Sequence, residues 1–226
     1  MFRDREDAAC QLAAMLRDYD LKAPLVLAIP RGGVVTGAVL AREIGAELDV
    51  VLSRKLRAPN QPELAFGGIS ENGEVYLNED AAEASGVTDE YFHQEKECQL
   101  AVIARRKQSM RRVRPKSPIQ GRSVIVTDDG VATGSTMIAA LQTVRSQQPA
   151  ELIAAVPVAP ADRIRDLEKY CDKVVCLCPA QHFWAVGQFY EDFPTVEDDQ
   201  VVEILREFMP QSAQLGTWCR PARFYH

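Results

Sequence analysis

The sequence predicts an α/β fold, a mostly parallel twisted sheet flanked by helices, and three observations carry that prediction. Short apolar runs rich in β-branched residues recur along the chain: LVLAI (25–29), VIVT (124–127), LIAAVPVA (152–159) and KVVCLC (173–178). They are continuous rather than alternating, the pattern of strands covered on both faces. Stretches with helical spacing separate them, and that alternation marks a parallel sheet with helical crossovers. Two strand-to-helix junctions, IPRGGVVTG (29–37) and TDDGVATGST (127–136), are rich in glycine and hydroxyl residues. Sheets of this kind collect their ligands at such junctions.

Taken in order, DREDAACQLAAMLRDY (4–19) has the spacing of an amphipathic first helix. LVLAI is a strand that ends in Pro-Arg-Gly-Gly, and VVTGAVLAREIG (34–45) resumes helical spacing. DVVLSRKL (49–56) reads as one second strand, and the polar stretch RAPNQPELAFGG (57–68) follows it. EVYLN (74–78) is a short strand, and 89–112 is a long charged helix. After the strand at 124–127 come a helix from 134, the strand 152–159, a helix at 161–170, the strand 173–178 and a last helix near 198–208. A single domain over 1–210 is expected, with an irregular tail at 211–226 (QSAQLGTWCRPARFYH).

Charge and composition narrow the function classes. The chain of 226 residues has 46% hydrophobic residues, a net charge of −6 and a pI near 5.2, which argues against nucleic acid as a partner. No stretch approaches the roughly 18–20 apolar residues of a membrane span. MFRDREDAAC lacks the apolar core of a signal peptide, so a cytoplasmic location is expected. The six cysteines fit no zinc spacing, and Cys176 and Cys178 read as buried free thiols on one strand face.

VIVTDDGVATGSTM (124–137) poses the functional question. Gly134, Ser135 and Thr136 begin a helix, where unpaired N–H groups and the helix dipole favour an anion. Small residues let the backbone approach a phosphate, and the hydroxyls of Thr133, Ser135 and Thr136 add donors. A nucleotide P-loop is excluded, because Gly130 to Gly134 is one residue short of that spacing and no lysine follows. Gly32, Gly33 and Gly37 are likewise misplaced for a dinucleotide fingerprint. Carboxylates are poor neighbours for a phosphate, so Asp128 and Asp129 are expected to face another part of the same ligand rather than a core partner. Vicinal ribose hydroxyls suit them; a turn or N-cap role for Asp129 is the simpler alternative.

This stretch resembles the phosphoribosyl-diphosphate (PRPP) signature of the type I phosphoribosyltransferase family: an apolar strand, two adjacent acids, a short spacer, then a glycine and hydroxyl loop. Thr127 and Gly130 stand where that signature more often has apolar residues. The whole chain is most similar to predicted phosphoribosyltransferases that share RGGVV, SRKL and RPK-type segments. The resemblance implies the type I phosphoribosyltransferase fold, with a small hood region and the long charged helix. It implies transfer of the phosphoribosyl group from PRPP to a nitrogenous base, with Mg²⁺ as cofactor and release of pyrophosphate. Asp128 and Asp129 would be the catalytic acids. Ala132, Thr133, Gly134, Ser135 and Thr136 would hold the 5-phosphate. Pro30, Arg31, Gly32 and Gly33, with Arg54 and Lys55, would hold the pyrophosphate, the family's loop often having a strained or cis peptide. No direct protein ligand to Mg²⁺ is expected; PRPP would carry the ion near Asp128 and Asp129. A mobile lid closing over PRPP is expected at 57–73.

Beyond the signature, HFWAVGQFYEDF (182–193) resembles the base-binding segment of purine phosphoribosyltransferases. Phe183 or Trp184, then Val186, then Asp192 (or Glu191) are the matching positions, with altered spacing. RRKQSMRRVRPK (105–116) carries seven basic residues and no acid, whereas 191–207 carries seven acids and one base. The two segments could meet within a molecule or between subunits of a homo-oligomer. Three other readings stay open: a PRPP- or nucleotide-binding regulator of the same fold without turnover, a phosphorylase-like enzyme using the same pocket, and a structural protein that keeps the fold after losing activity.

Overall fold

Alternate residues of the central strands belong to two different cores, and this is what puts helices on both sides of the sheet. The computed structural model describes residues 1–208. The chain runs α1 (Arg5–Leu16), β1 (Leu25–Ala28), α2 (Gly32–Ile44), β2 (Glu47–Val50), β3 (Ser53–Ala58), β4 (Gln61–Ser70), β5 (Val75–Leu77), α3 (Glu79–Ala84) and α4 (Asp89–Val113). It continues through β6 (Ser123–Thr127), α5 (Ser135–Arg145), β7 (Glu151–Pro160), α6 (Ala161–Leu167), β8 (Lys173–Ala180), a 3₁₀ turn (Val186–Phe189) and α7 (Asp198–Glu207). Five strands form a parallel sheet in the order β2-β1-β6-β7-β8. Val26, Ile125 and Ile153 pack on one face with Leu12 and Leu16 of α1 and Val34 and Leu40 of α2. Leu25, Val124 and Leu152 pack on the other with Met137, Leu141 and Val144 of α5 and Leu167 of α6. The continuous apolar runs are therefore continuous because both faces are covered.

The run 49–56 is not one strand. β2 ends at Val50, and after Val51–Leu52 the chain enters β3, the first strand of a separate antiparallel sheet ordered β3-β4-β5. The stretch expected to act as a lid is regular structure rather than loop. Segment 57–73 is mainly the β3–β4 hairpin and its following turn, anchored by Phe66 and Ile69, both fully buried. Gly68 lies so close to Ala139 of α5 that a Cβ would collide with it. This small sheet, with α3 and α4, is the hood. Helix α3, capped by the Asn78 side chain, was not anticipated because it is short and buries no residue.

The basic run turns inward. Arg111 of α4 donates to Asp49 Oδ1 (2.6 Å), to the Val50 carbonyl (3.0 Å) and with two nitrogens to Glu71 (3.1 and 3.0 Å). It thus ties the end of β2 to the far end of the hairpin. Arg114 is buried against Glu47, Ser117 and the Phe208 carbonyl. Arg106 lies 4.0 Å from Asp198, so the basic and acidic segments do meet within one chain. Among the described residues no helix is long and apolar enough to cross a membrane. The five described cysteines are free, and burial pushes the Cys176 thiol up to about 11, which suits an inert thiol. The tail 211–226 and the boundary at 210 lie outside the described residues.

Arg111→Ala leaves Asp49 and Glu71, 1% and 5% exposed at their side chains, as buried charges without this partner. Urea unfolding should show a loss of about 3–5 kcal/mol, with Arg111→Lys recovering part of it. A loss near zero would mean that the two sheets are held together by apolar packing alone.

Candidate functional site

β1 and β6 are parallel neighbours with Ala28 beside Thr127, so the two glycine-containing junctions leave the sheet side by side. Ile29 N–H donates to the Thr127 carbonyl at 2.9 Å and extends the pairing by one residue. The Pro30–Arg31 peptide is cis, and α2 starts at Gly32. A Cβ on Gly33 would lie 2.7 Å from Asp128 Oδ1 and 2.8 Å from Asp128 Cα, and one on Gly32 would collide with the Asp129 carboxylate. Gly32 and Gly33 are therefore required in the unliganded protein itself, to admit the acids.

A cleft of about 220 Å³ opens beside this contact, lined by Lys55, Asp128, residues 130–134, Thr136, Met137 and Val186. Gly134 stands at the N-cap of α5 with φ of +82° and no side chain caps the helix. The first N–H groups of α5 are thus available to an anion, with the dipole behind them. A Cβ on Gly134 would meet nothing closer than 3.9 Å, so its backbone conformation, rather than crowding, demands glycine. The Thr133 and Ser135 hydroxyls lie 3.4 Å apart, but Ser135 lines a neighbouring depression with Gly67 and Tyr76 rather than this cleft. Gly130 is explained by Val186, whose Cγ1 would be 2.5 Å from an added Cβ.

The two aspartates differ. Asp128 is half-buried on the cleft wall and its Oδ1 accepts the Asp129 N–H at 2.8 Å. Desolvation, and then the neighbouring Asp129 carboxylate, push its pKa well above the ordinary carboxylate value. Asp129 is not a bare ligand-facing acid. Its Oδ2 accepts from Arg5 Nε at 2.8 Å, and its carbonyl accepts from the Tyr190 hydroxyl at 2.5 Å. The expectation that neither carboxylate has a protein partner is thereby corrected. Arg5, Tyr190 and Phe193, whose ring lies 3.7 Å below the Arg5 guanidinium, are the residues that sequence reasoning missed. A signal existed for Arg5: it occupies the first position of the buried stripe Arg5, Ala8, Ala9, Leu12, Ala13, Leu16.

Of the other candidates, Lys55 joins the cleft and Arg54 does not. Successive side chains of a strand point to opposite faces, and Arg54 Nε donates to Gln99 of α4 at 3.0 Å. Burial, followed by the nearby Arg106 and Arg57, lowers the Arg54 pKa. Arg31 is turned to Glu197 at 2.6 Å, while the Pro30 carbonyl accepts a long 3.4 Å bond from Arg106. Phe183 packs on Phe189, with ring centroids 5.4 Å apart, and Trp184 is 90% exposed. Asp192 lies away from the cleft, on a second depression with Arg5, Val35 and Gln200. Among the described residues no group of three or more His, Cys, Asp or Glu side chains is arranged to hold a metal ion.

The chain is similar to known proteins over most of its length. The family model described as "Phosphoribosyl transferase domain" matches residues 3–194. Two Mycobacterium tuberculosis proteins named "Putative phosphoribosyl transferase", MT0597 and Rv0571c, are each 40% identical over 216 residues, 96% of this chain and 49% of theirs. The chain thus spans about half the length of these relatives. The crystal structure of TT1426 from Thermus thermophilus superposes with a TM-score of 0.84 at 44% identity, covering 92% of this chain and 99% of that one.

The raised pKa of Asp128 has a consequence for stability. An acid whose pKa is higher in the folded than in the unfolded chain destabilises the fold progressively as pH rises through the folded value, and costs nothing below the unfolded value of about 4. Asp128→Asn can still accept the Asp129 N–H through its amide oxygen. Its melting temperature should exceed that of the unsubstituted protein at pH 7–8, with the difference closing towards pH 4; a gain independent of pH would contradict the assignment.

Proposed function

This chain belongs to the phosphoribosyl transferase domain family, and from that premise we propose that it moves the phosphoribosyl group of PRPP to a nitrogenous base. The observation that carries this reading is the convergence of Lys55, Asp128 and the uncapped start of α5 on one cleft, beside the glycine junction that follows β1. In the proposed complex the 5-phosphate sits on residues 132–136, where helix N–H groups and hydroxyls offer donors. The ribose lies beside the acidic pair, and the pyrophosphate lies towards Gly32, Gly33 and Lys55.

Departure of pyrophosphate leaves positive charge on the sugar at C1, which a ring nitrogen of the base captures. A carboxylate fixed beside the ribose opposes that charge without moving during the reaction. Mg²⁺ would neutralise charge on the leaving pyrophosphate. With one carboxylate lining it, the cleft does not suit a cation held by protein alone; PRPP phosphate oxygens and water would hold the ion near Asp128. Val186 on the cleft wall, with Phe183 and the exposed Trp184 in the preceding turn, supports an acceptor site on that side. Lys55 lines the cleft, whereas Arg31 and Arg54 point to Glu197 and Gln99, so position alone makes Lys55 the better placed cation.

The direct test incubates the protein with PRPP, Mg²⁺ and a panel of purine, pyrimidine and pyridine bases, and follows pyrophosphate release. Release that depends on one base is expected; binding of PRPP without release from any base would favour a regulator. The cradle has its own test. Gly134→Val forces a β-branched residue to positive φ and should weaken ribose 5-phosphate binding at least tenfold, about 1.4 kcal/mol. Ser135→Ala removes one hydroxyl and should cost roughly 0.5–1.5 kcal/mol or less. Equal effects of the two would remove the backbone from the phosphate site.

A further inference from the structure

Two adjacent acids at a ribose site would ordinarily be given equal roles, and the surroundings of this pair do not allow it. Asp128 lines the cleft, and Asp129 does not. The Asp129 carboxylate is held at 2.8 Å by the Nε of Arg5, whose side chain is 8% exposed. Arg5 is fixed in turn: its Nη1 donates to the Pro194 carbonyl at 2.8 Å and its guanidinium rests 3.7 Å from the centre of the Phe193 ring. The opposite end of Asp129 is anchored as well, through its carbonyl and the Tyr190 hydroxyl. The start of α2 closes over this arrangement, since a Cβ on Gly32 would strike the Asp129 carboxylate and lie tightly, at 3.2 Å, against Arg5 Nε. For Asp129 to turn into the cleft, a guanidinium shielded from water would have to lose its charge partner.

We propose that Arg5 divides the acidic pair: it holds Asp129 against α2 as an ion-paired wall, leaves Asp128 as the carboxylate that meets the ribose hydroxyls, and is thereby a positioning residue for that contact. This deepens the proposed function and rests on it. The chemistry is plain. Two bare carboxylates joined by one peptide would repel each other, and each would compete for the same hydroxyls and disturb the other's orientation. With Arg5 in place, the Asp129 N–H instead points at Asp128 Oδ1 and fixes the carboxylate that faces the cleft. Phe193 supplies a π face for the cation and excludes water from it. The single hydrogen bond from Nε, with Nη1 used elsewhere, also explains why a lysine could replace the charge but not the whole contact.

The test measures binding of ribose 5-phosphate and of inorganic phosphate by calorimetry, with thermal melting as a check on folding. Asp128→Asn should weaken ribose 5-phosphate at least tenfold and leave inorganic phosphate within twofold, because only the ribose contact is lost. Asp129→Asn, which can still accept from Arg5, should cost two- to threefold. Arg5→Ala should weaken ribose 5-phosphate about tenfold by freeing the Asp129 charge, and Arg5→Lys should cost less. Adding Asp129→Asn to Arg5→Ala should recover most of that loss, an outcome that a purely structural Arg5 would not give, since the double variant would then be no better than the single one. Asp129→Asn as damaging as Asp128→Asn, or a double variant with no recovery, overturns the division. The Asp129→Asn comparison decides the matter even if Arg5→Ala fails to fold. Should the unsubstituted protein bind inorganic phosphate but not ribose 5-phosphate, the proposed function itself fails, and the division falls with it.

Discussion

The contact between Gly32–Gly33 and Asp128–Asp129 is the constraint on which the site depends. Parallel pairing of β1 with β6 brings the two junctions to the same edge of the sheet, but pairing alone would leave a gap that side chains could fill. Two glycines remove that gap and let α2 begin against the acids. Everything else at the site is referenced to this contact. Arg5 reaches Asp129 because α1 packs on α2, and Tyr190 reaches the same residue from the far end of the chain. The cradle at 132–136 is set by the few residues between Asp129 and the start of α5.

A second tie brings in the hood. The three-stranded sheet has its own hydrogen bonds and shares none with the parallel sheet, so its placement depends on what bridges them. Arg111 does so with charge, joining Asp49, the Val50 carbonyl and Glu71. The packing of Gly68 on Ala139 does so with shape. Together these bring Lys55 to the cleft. The net charge of −6 is a poor guide to this chemistry, because much of the basic run is consumed internally by acids from β2, the hairpin and α7.

The parallel sheet and its flanking helices were legible because burial on both faces writes itself as continuous apolar runs. The phosphate cradle was legible because a helix start that must admit an anion needs small residues at a short, fixed spacing. The break between β2 and β3 was not. Apolar residues run on through Val51 and Leu52, both buried, and only a long-range partner, Arg111, marks where the chain changes sheet. The hairpin was read as loop because Pro59, Gly67 and Gly68 resemble loop composition, whereas the glycines are there to admit the β5 and α5 backbones at close range. Arg54 and Lys55 read as a matched pair of cations until strand geometry sent them to opposite faces. Arg5 lay hidden in a helix whose charges look like ordinary solvent-facing residues.

These misses share a cause with the chemistry of the site. Local spacing records what a segment does with its own backbone, and contacts between distant segments leave only indirect traces. An arginine in an apolar stripe is one such trace, and a glycine where the chain needs no unusual φ is another. Gly32, Gly33 and Gly130 are glycines of that sort: none has a positive φ, and each is small because a residue far away in sequence occupies the space. Gly134 is the converse, with its positive φ and open surroundings. The acid pair stands between the two. Its sequence position identifies a site, but the inequality of Asp128 and Asp129 comes from α1, the Tyr190–Phe193 segment and α2, which reach the same few ångströms from remote parts of the chain. Neighbours in sequence are thus given different chemistry by neighbours in space.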